Sequence, residues 1–269
     1  MFRQFFCLRF CEVPCFADFS EGFGSNSSFE YVCLFLEQQA AKKMVVSQEL
    51  VPRFVALNVR CAATGRGHGD RAVCRIVAVG EDGKMLFDRA IKVPKLYHSM
   101  SAMSGLTAAM IQKGMDFEAA LKDLRNCCLG FTVVLVGQDI HLDIERLQLR
   151  RVLIKKIPLY LFPIRQGVDF FMFVDLGLCF RSWNHKEAHW NYFSLREEAY
   201  GLLDRAASSS LRDPQEDAKI SMLLYTRFLK PGPDIARNAV HQLQRMRFYR
   251  EFPPSLSKRP NIPGICCAP

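Results

Sequence analysis

Phosphate-binding chemistry is the first thing the side chains offer. Lys230, Arg237, Arg245, Arg247, Arg250, Lys258 and Arg259 fall within one stretch, with Phe248, Tyr249 and Phe252 interleaved. Cationic side chains hold phosphate oxygens whatever the base, and rings between them can stack on bases, so the stretch resembles a segment that tracks a nucleic-acid backbone. The same composition also suits a solvated tail. A second group places Trp183, Trp190, Tyr192 and Phe193 beside Arg181 and Lys186 in a polar run. These aromatics can stack on unpaired bases, close over the core, or fill a protein interface. His185 and His189 stand four apart, a spacing that lets two helical histidines share a metal, but no Glu-x-x-His frame surrounds them.

The eleven cysteines lack a zinc-ligand pattern, because no C-x-x-C pair faces a second pair. They read as reduced, mostly buried thiols of an intracellular protein. The net charge is +9, yet residues 1–50 hold four basic against six acidic residues, so the positive field belongs to the rest. Arg150-Arg151 and Lys155-Lys156 add to it. The apolar N-terminus is interrupted by Arg9 and Glu12, which suits neither a signal peptide nor a membrane span, and no other segment reaches a span. Cys266-Cys267-Ala268-Pro269 ends in a residue outside the prenylation set.

Elements to position these groups begin at Phe54. FVALNVR reads as a buried strand, followed by a Gly-rich turn over 64–70. AVCRIVAVG (72–80) and KMLFDRAIKV (84–93) are strands joined by a hairpin turn at Glu81-Asp82-Gly83. A short helix runs from 104 to about 113, and Asp116 N-caps a helix over 117–128 that Gly130 stops. TVVLVG (132–137) is a continuous apolar run of the kind buried in a parallel sheet, and a helix follows over 142–151. Residues 157–175 read as apolar and irregular, and 181–193 as a loop. Ser194 and Glu197 form a capping box for the next helix, and Asp213-Pro214 starts the last one. The order βββαβα, then helices, predicts an α/β domain over 51–231. It follows a poorly defined extension (1–50) and precedes a basic, Pro-containing tail (232–269).

From about 54 to 230 the chain resembles the RNA exonuclease branch of the DEDDh superfamily of 3′–5′ exonucleases. The blocks occur in family order: FVALNVRCAATGRG, Ala72-Val73-Cys74-Arg75-Ile76-Val77, Ser104-Gly105-Leu106-Thr107, Val136-Gly137-Gln138-Asp139-Ile140-His141-Leu142-Asp143, and Arg212-Asp213-Pro214-Gln215-Glu216-Asp217-Ala218. The resemblance implies a ribonuclease-H-like three-layer fold: a central mixed sheet, three strands as a meander plus parallel strands, flanked by helices. It also implies a nuclear or cytoplasmic setting. In such enzymes four carboxylates hold two divalent metals that clamp the scissile phosphate, and a histidine activates water.

Carried across by position, the resemblance puts Asn58 where the first Asp belongs and Arg60 where the Glu belongs. Asp143 and Asp217 keep the other two acidic positions, and Arg212 replaces the histidine. Arg60 places a permanent cation where metals would sit, and can pair with both remaining carboxylates. Arg212 cannot act as a base at neutral pH. Asp143 and Asp217 then serve as a residual metal site or as partners of nearby cations. Asp70, Asp139, Asp169, Asp175, Asp213 and Glu216 are the carboxylates from which a relocated site could be built, and none restores the acidic pair on the first strand.

The expected function is therefore a degenerate exonuclease-fold protein, a pseudoenzyme, that binds RNA or single-stranded nucleic acid through Arg60, Arg212, Arg181, Lys186, Trp190, Arg245, Arg247 and Arg250. It needs no cofactor. One alternative is an active 3′–5′ exonuclease with a rearranged site using Mg²⁺ or Mn²⁺. The other is a protein-interaction scaffold.

Overall fold

The computed structural model describes residues 51–67, 69–148, 164, 166–184, 187–204, 213–253 and 256. The extension read over 1–50 lies outside them, as do Arg212, Lys186, His185 and the last residues of the chain.

Strand β1 (Arg53–Ala63) sets the frame. Successive side chains point to opposite faces. Val55, Leu57 and Val59 face a core that includes Leu121, Leu124, Ile140 and Ile144. Phe54 and Ala56 face a second core that includes Ala218, Met222, Tyr225 and Leu243. The period of two carries Asn58 and Arg60 onto this second face.

β2 (Arg71–Gly80) runs antiparallel to β1, and β3 (Met85–Ala90) antiparallel to β2. Gly83, at φ 77°, takes the left-handed position of the turn between them. The short helices α1 (Ser101–Ser104) and α2 (Ala108–Gln112) precede α3 (Phe117–Cys128). Asp116 stands at the N-cap of α3, but its carboxylate makes no capping bond. β4 (Val133–Gly137) is buried along its whole length and pairs parallel with β1. Gly137 lets the chain turn tightly into α4 (Ile140–Gln148): a Cβ there would lie 2.9 Å from the Leu57 carbonyl oxygen.

β5 (Met172–Asp175) pairs parallel with β4 and completes the sheet order β3-β2-β1-β4-β5. It falls in the run read as irregular. A four-residue strand inside a longer apolar stretch has no periodicity to mark it. One-turn α5 (Leu176–Cys179) follows, capped by Asp175. The expected loop over 181–193 is instead a hairpin, β6 (Ser182–Asn184) and β7 (His189–Asn191). His189 is on a strand, so no helical histidine pair forms.

α6 (Leu195–Leu203) carries the expected capping box between Ser194 and Glu197. α7 (Pro214–Leu224) starts with Pro at its first turn, capped by Asp213, and loosens into a π turn over Tyr225–Leu229. α8 (Pro233–Phe248) occupies the start of the segment read as a tail. Its buried Ala236, Ala239 and Leu243 form the stripe that docks it, with Leu243 and Met246 lying against Gly201 of α6. Two of the three stripe residues are alanines, which is why the sequence reads as polar there.

The architecture is therefore α/β: a mixed five-stranded sheet with α3 and α4 on one face and α6, α7 and α8 on the other. Among the described residues no helix is long and apolar enough to cross a membrane.

Candidate functional site

α7 packs on the β1 face that carries Asn58 and Arg60, and its first turn brings in Asp217. The Arg60 Nη2 group donates to Asp217 Oδ2 across 157 residues of sequence. Both side chains are mostly enclosed, 17% and 15% exposed. Asp143 reaches the other side of β1 from α4. Its Oδ2 accepts the Val59 backbone N–H at 3.0 Å and its Oδ1 accepts Arg146 Nη1 at 2.7 Å. Burial pushes the Asp143 carboxyl up to about 6, against the pull of Arg146, the Val59 N–H and Arg60.

The expectation that Arg60 bridges both carboxylates is corrected here. Arg60 bonds Asp217, while Asp143 is held by a different cation, Arg146. Helix period explains the second pair, since Arg146 lies one turn after Asp143 on the same face.

Asn58 is 8% exposed, and among the described residues its Oδ1 accepts no hydrogen bond. Arg60 Nε, two residues along the same face, is likewise buried without an acceptor. Buried polar groups are almost always satisfied, so an acceptor and a donor left over on one face mark a place where a polar ligand fits.

Two divalent metals need several anionic oxygens free to converge. Here both Asp143 oxygens and one Asp217 oxygen already accept hydrogen bonds, two of them from guanidinium groups. Among the described residues no three His, Cys, Asp or Glu side chains are grouped to hold a metal ion. The donor set does not fit a metal pair.

The other acidic residues have structural partners. Asp70 accepts the Gly67 N–H in the turn after β1, and Asp169 accepts Arg125 at 3.0 Å. Asp213 caps α7 and lies 3.6 Å from Arg75, which forms a two-pronged pair with Asp88 at 2.9 and 2.8 Å. Two strand arginines, Arg60 and Arg75, thus hold the start of α7 against the sheet.

Asp139, weighed as a neighbour of Asp143, turns toward Asp175 instead. It sits at φ 52°, and its N–H donates to Asp175 Oδ1 at 3.1 Å. Asp175 also accepts the Gly177 N–H and meets His141 Nδ1 at 2.8 Å, which fixes the start of α4.

Opposite this turn lies a residue the sequence reading missed. Glu198 on α6 is fully buried, and neither carboxylate oxygen has a hydrogen-bond partner among the described residues. Burial, reinforced by the charges of Asp139 and Asp175 and opposed by the Gln138 amide, holds its carboxyl well above the usual range. The signal was present: a helix capped at Ser194 puts residue 198 on the stripe of Leu195, Ala199 and Leu202.

The hairpin and the end of α8 form the other group. The Arg181 guanidinium lies over the Trp190 ring at 4.0 Å, and Trp183 meets Trp190 edge-on at 5.2 Å. Arg247 Nη2 donates to the Tyr192 carbonyl at 3.0 Å and to Glu197 at 2.9 Å, with its Cζ 4.1 Å from the centre of the Phe193 ring. Arg247 therefore clasps α8 to the hairpin. Arg245 and Arg250 lie at the surface. Phe193 is buried and Phe252 packs beside it, so these two rings serve packing.

No family model matches the chain, and no curated protein matches its sequence. Solved structures do match. The Saccharomyces cerevisiae Pan2 pseudoubiquitin hydrolase–RNA exonuclease module superposes with a TM-score of 0.56 at 14% identity, over 78% of this chain and 34% of that one. The same module in complex with A7 RNA gives 0.56 at 15% identity, with the same coverage of 78% and 34%. The Neurospora crassa Pan2 catalytic unit, comprising protease and nuclease domains, gives 0.50 at 16% identity, over 75% and 31%. The chain spans about a third of the length of these structures. At these identities the likeness is one of fold: this chain carries the mixed-sheet α/β architecture found in modules that include an RNA exonuclease.

Proposed function

We propose that this chain binds single-stranded nucleic acid, RNA first, on an exonuclease-like fold and does not cut it. The observation that carries this reading is the Arg60 guanidinium bonded to Asp217 where a hydrolase of this resemblance would place metal. A fixed cation attracts a phosphate but generates no hydroxide, and Arg146 on Asp143 acts in the same sense. Arg212, by the family resemblance, adds a cation in place of the general base.

The unpaired Asn58 Oδ1 and Arg60 Nε give a bound nucleotide one acceptor and one donor. RNA is the first candidate because the Pan2 module was solved in complex with A7 RNA. Arg245 and Arg250 extend the basic field, Arg181 and Arg247 act mainly by fixing rings and helix, Trp190 offers a ring for stacking, and Lys186 lies outside the described residues. A residual single-metal site at Asp143 and Asp217 is the second reading, favoured by the unpaired Asn58 oxygen, and it requires Arg60 to swing away.

The test is binding of a labelled single-stranded RNA across a salt series, with and without a chelator. Affinity falls linearly in log–log form with salt and is unchanged by chelator. Absence of binding at low salt refutes the reading.

A further inference from the structure

Five large rings stand exposed on the hairpin, just after it and at the end of α8: Trp183 and Trp190 are each 38% exposed, Tyr192 51%, Phe248 75% and Tyr249 64%. They belong to the hairpin β6–β7, the residue after it, and the C-terminal end of α8. The Arg247 side chain bridges these parts, because it bonds the Tyr192 carbonyl and Glu197 while its neighbour Phe248 faces solvent. Trp190 carries the Arg181 guanidinium over its ring and meets Trp183 edge-on, and Phe248 meets Tyr249 edge-on at 5.1 Å and 88°. In their exposure these rings differ from Phe193 and Phe252, which pack on each other and on the core.

Charge selects the occupant. Between Asp234 and Glu251 the chain has no acidic residue, and Arg245 and Arg250 fall in its last stretch beside Arg247, whose charge is paired with Glu197. Rings set among cations are the surface on which unpaired bases stack while phosphates meet the cations.

We propose that this platform is a base-stacking site for single-stranded nucleic acid, separate in sequence from the Asn58–Asp217 site, with Phe248 and Tyr249 taking bases and Arg245 and Arg250 taking phosphates. It rests on the nucleic-acid reading above but not on any property of β1. Arg247 spends its guanidinium on the Tyr192 carbonyl, Glu197 and Phe193, which ties the end of α8 to the residue after the hairpin and leaves Arg245 and Arg250 for phosphates.

The test uses the full chain and fluorescence anisotropy with a labelled oligouridylate and an abasic strand of equal length. The Phe248→Ala/Tyr249→Ala variant binds oligouridylate at least about tenfold more weakly, from the loss of stacking, and no longer distinguishes it from the abasic strand. Phe248→Trp/Tyr249→Trp restores both. Both residues are exposed, and an unchanged urea midpoint shows that the fold is intact. If the native chain binds no strand, the functional reading itself fails. If it binds and the alanine variant binds equally tightly, this inference alone is overturned and the rings belong to a protein contact.

Discussion

Replacing Arg60 by leucine removes the cation that faces Asp217 and leaves the carboxylate against the sheet. The pair is neither exposed nor fully enclosed, at 17% and 15% exposure. Exposed pairs contribute about 0–1 kcal/mol, while removing one member of a buried pair costs about 3–5 kcal/mol. The single substitution therefore costs about 2 kcal/mol, a Tm drop of roughly 4–8 °C for a domain of this size. Removing Asp217 as well, in Arg60→Leu/Asp217→Leu, returns part of the loss because the carboxylate no longer stands enclosed without its guanidinium. The four urea curves of native, two single and double variants give a coupling of about 1–2 kcal/mol. Costs that add to within about 0.3 kcal/mol would refute the clamp, and with it the argument that a guanidinium takes the place of metal.

Two further outcomes follow from the same geometry. Glu198 holds its proton more tightly in the fold than its ordinary value of 4.5, so its contribution is full below that value and is lost as pH rises. Glu198→Gln is therefore the more stable chain above neutrality, and its unfolding free energy falls less with rising pH than the native chain's. Parallel curves would show that the carboxyl is not strained. Asp143, raised to about 6, leaves a smaller slope of the same sign in both chains. Returning the strand to acid, Asn58→Asp with Arg60→Glu, supplies two anions beside Asp143 and Asp217. That variant gains a saturable rise in Tm with Mn²⁺ that the native chain lacks; an equal rise in both would contradict the assignment.

The strands β1, β2 and β4 were legible as apolar runs and β3 as an alternating return strand after the Glu81-Asp82-Gly83 turn, and the α6 cap because Ser194 and Glu197 stand three apart. The pairing of Arg60 with Asp217 was legible only through the family resemblance. Nothing local relates two residues 157 positions apart. The pairing of Arg146 with Asp143 is written in the helix spacing, three residues apart on one face, but Arg60 offers the same carboxylate a competing cation in the sequence. β5 and the hairpin were hidden by shortness, and α8 by a docking stripe made mostly of alanine. The role of Arg247 was hidden for a different reason. A basic residue in a basic stretch reads as a phosphate ligand, and only the fold shows that it is bonded to Tyr192 and Glu197.

The most direct test follows an RNA strand labelled at its 5′ end while it is held by saturating protein in Mg²⁺ and, separately, in Mn²⁺. Full-length strand that stays bound over hours is the predicted result. Stepwise shortening from the 3′ end, abolished by Asp143→Ala/Asp217→Ala, would contradict it.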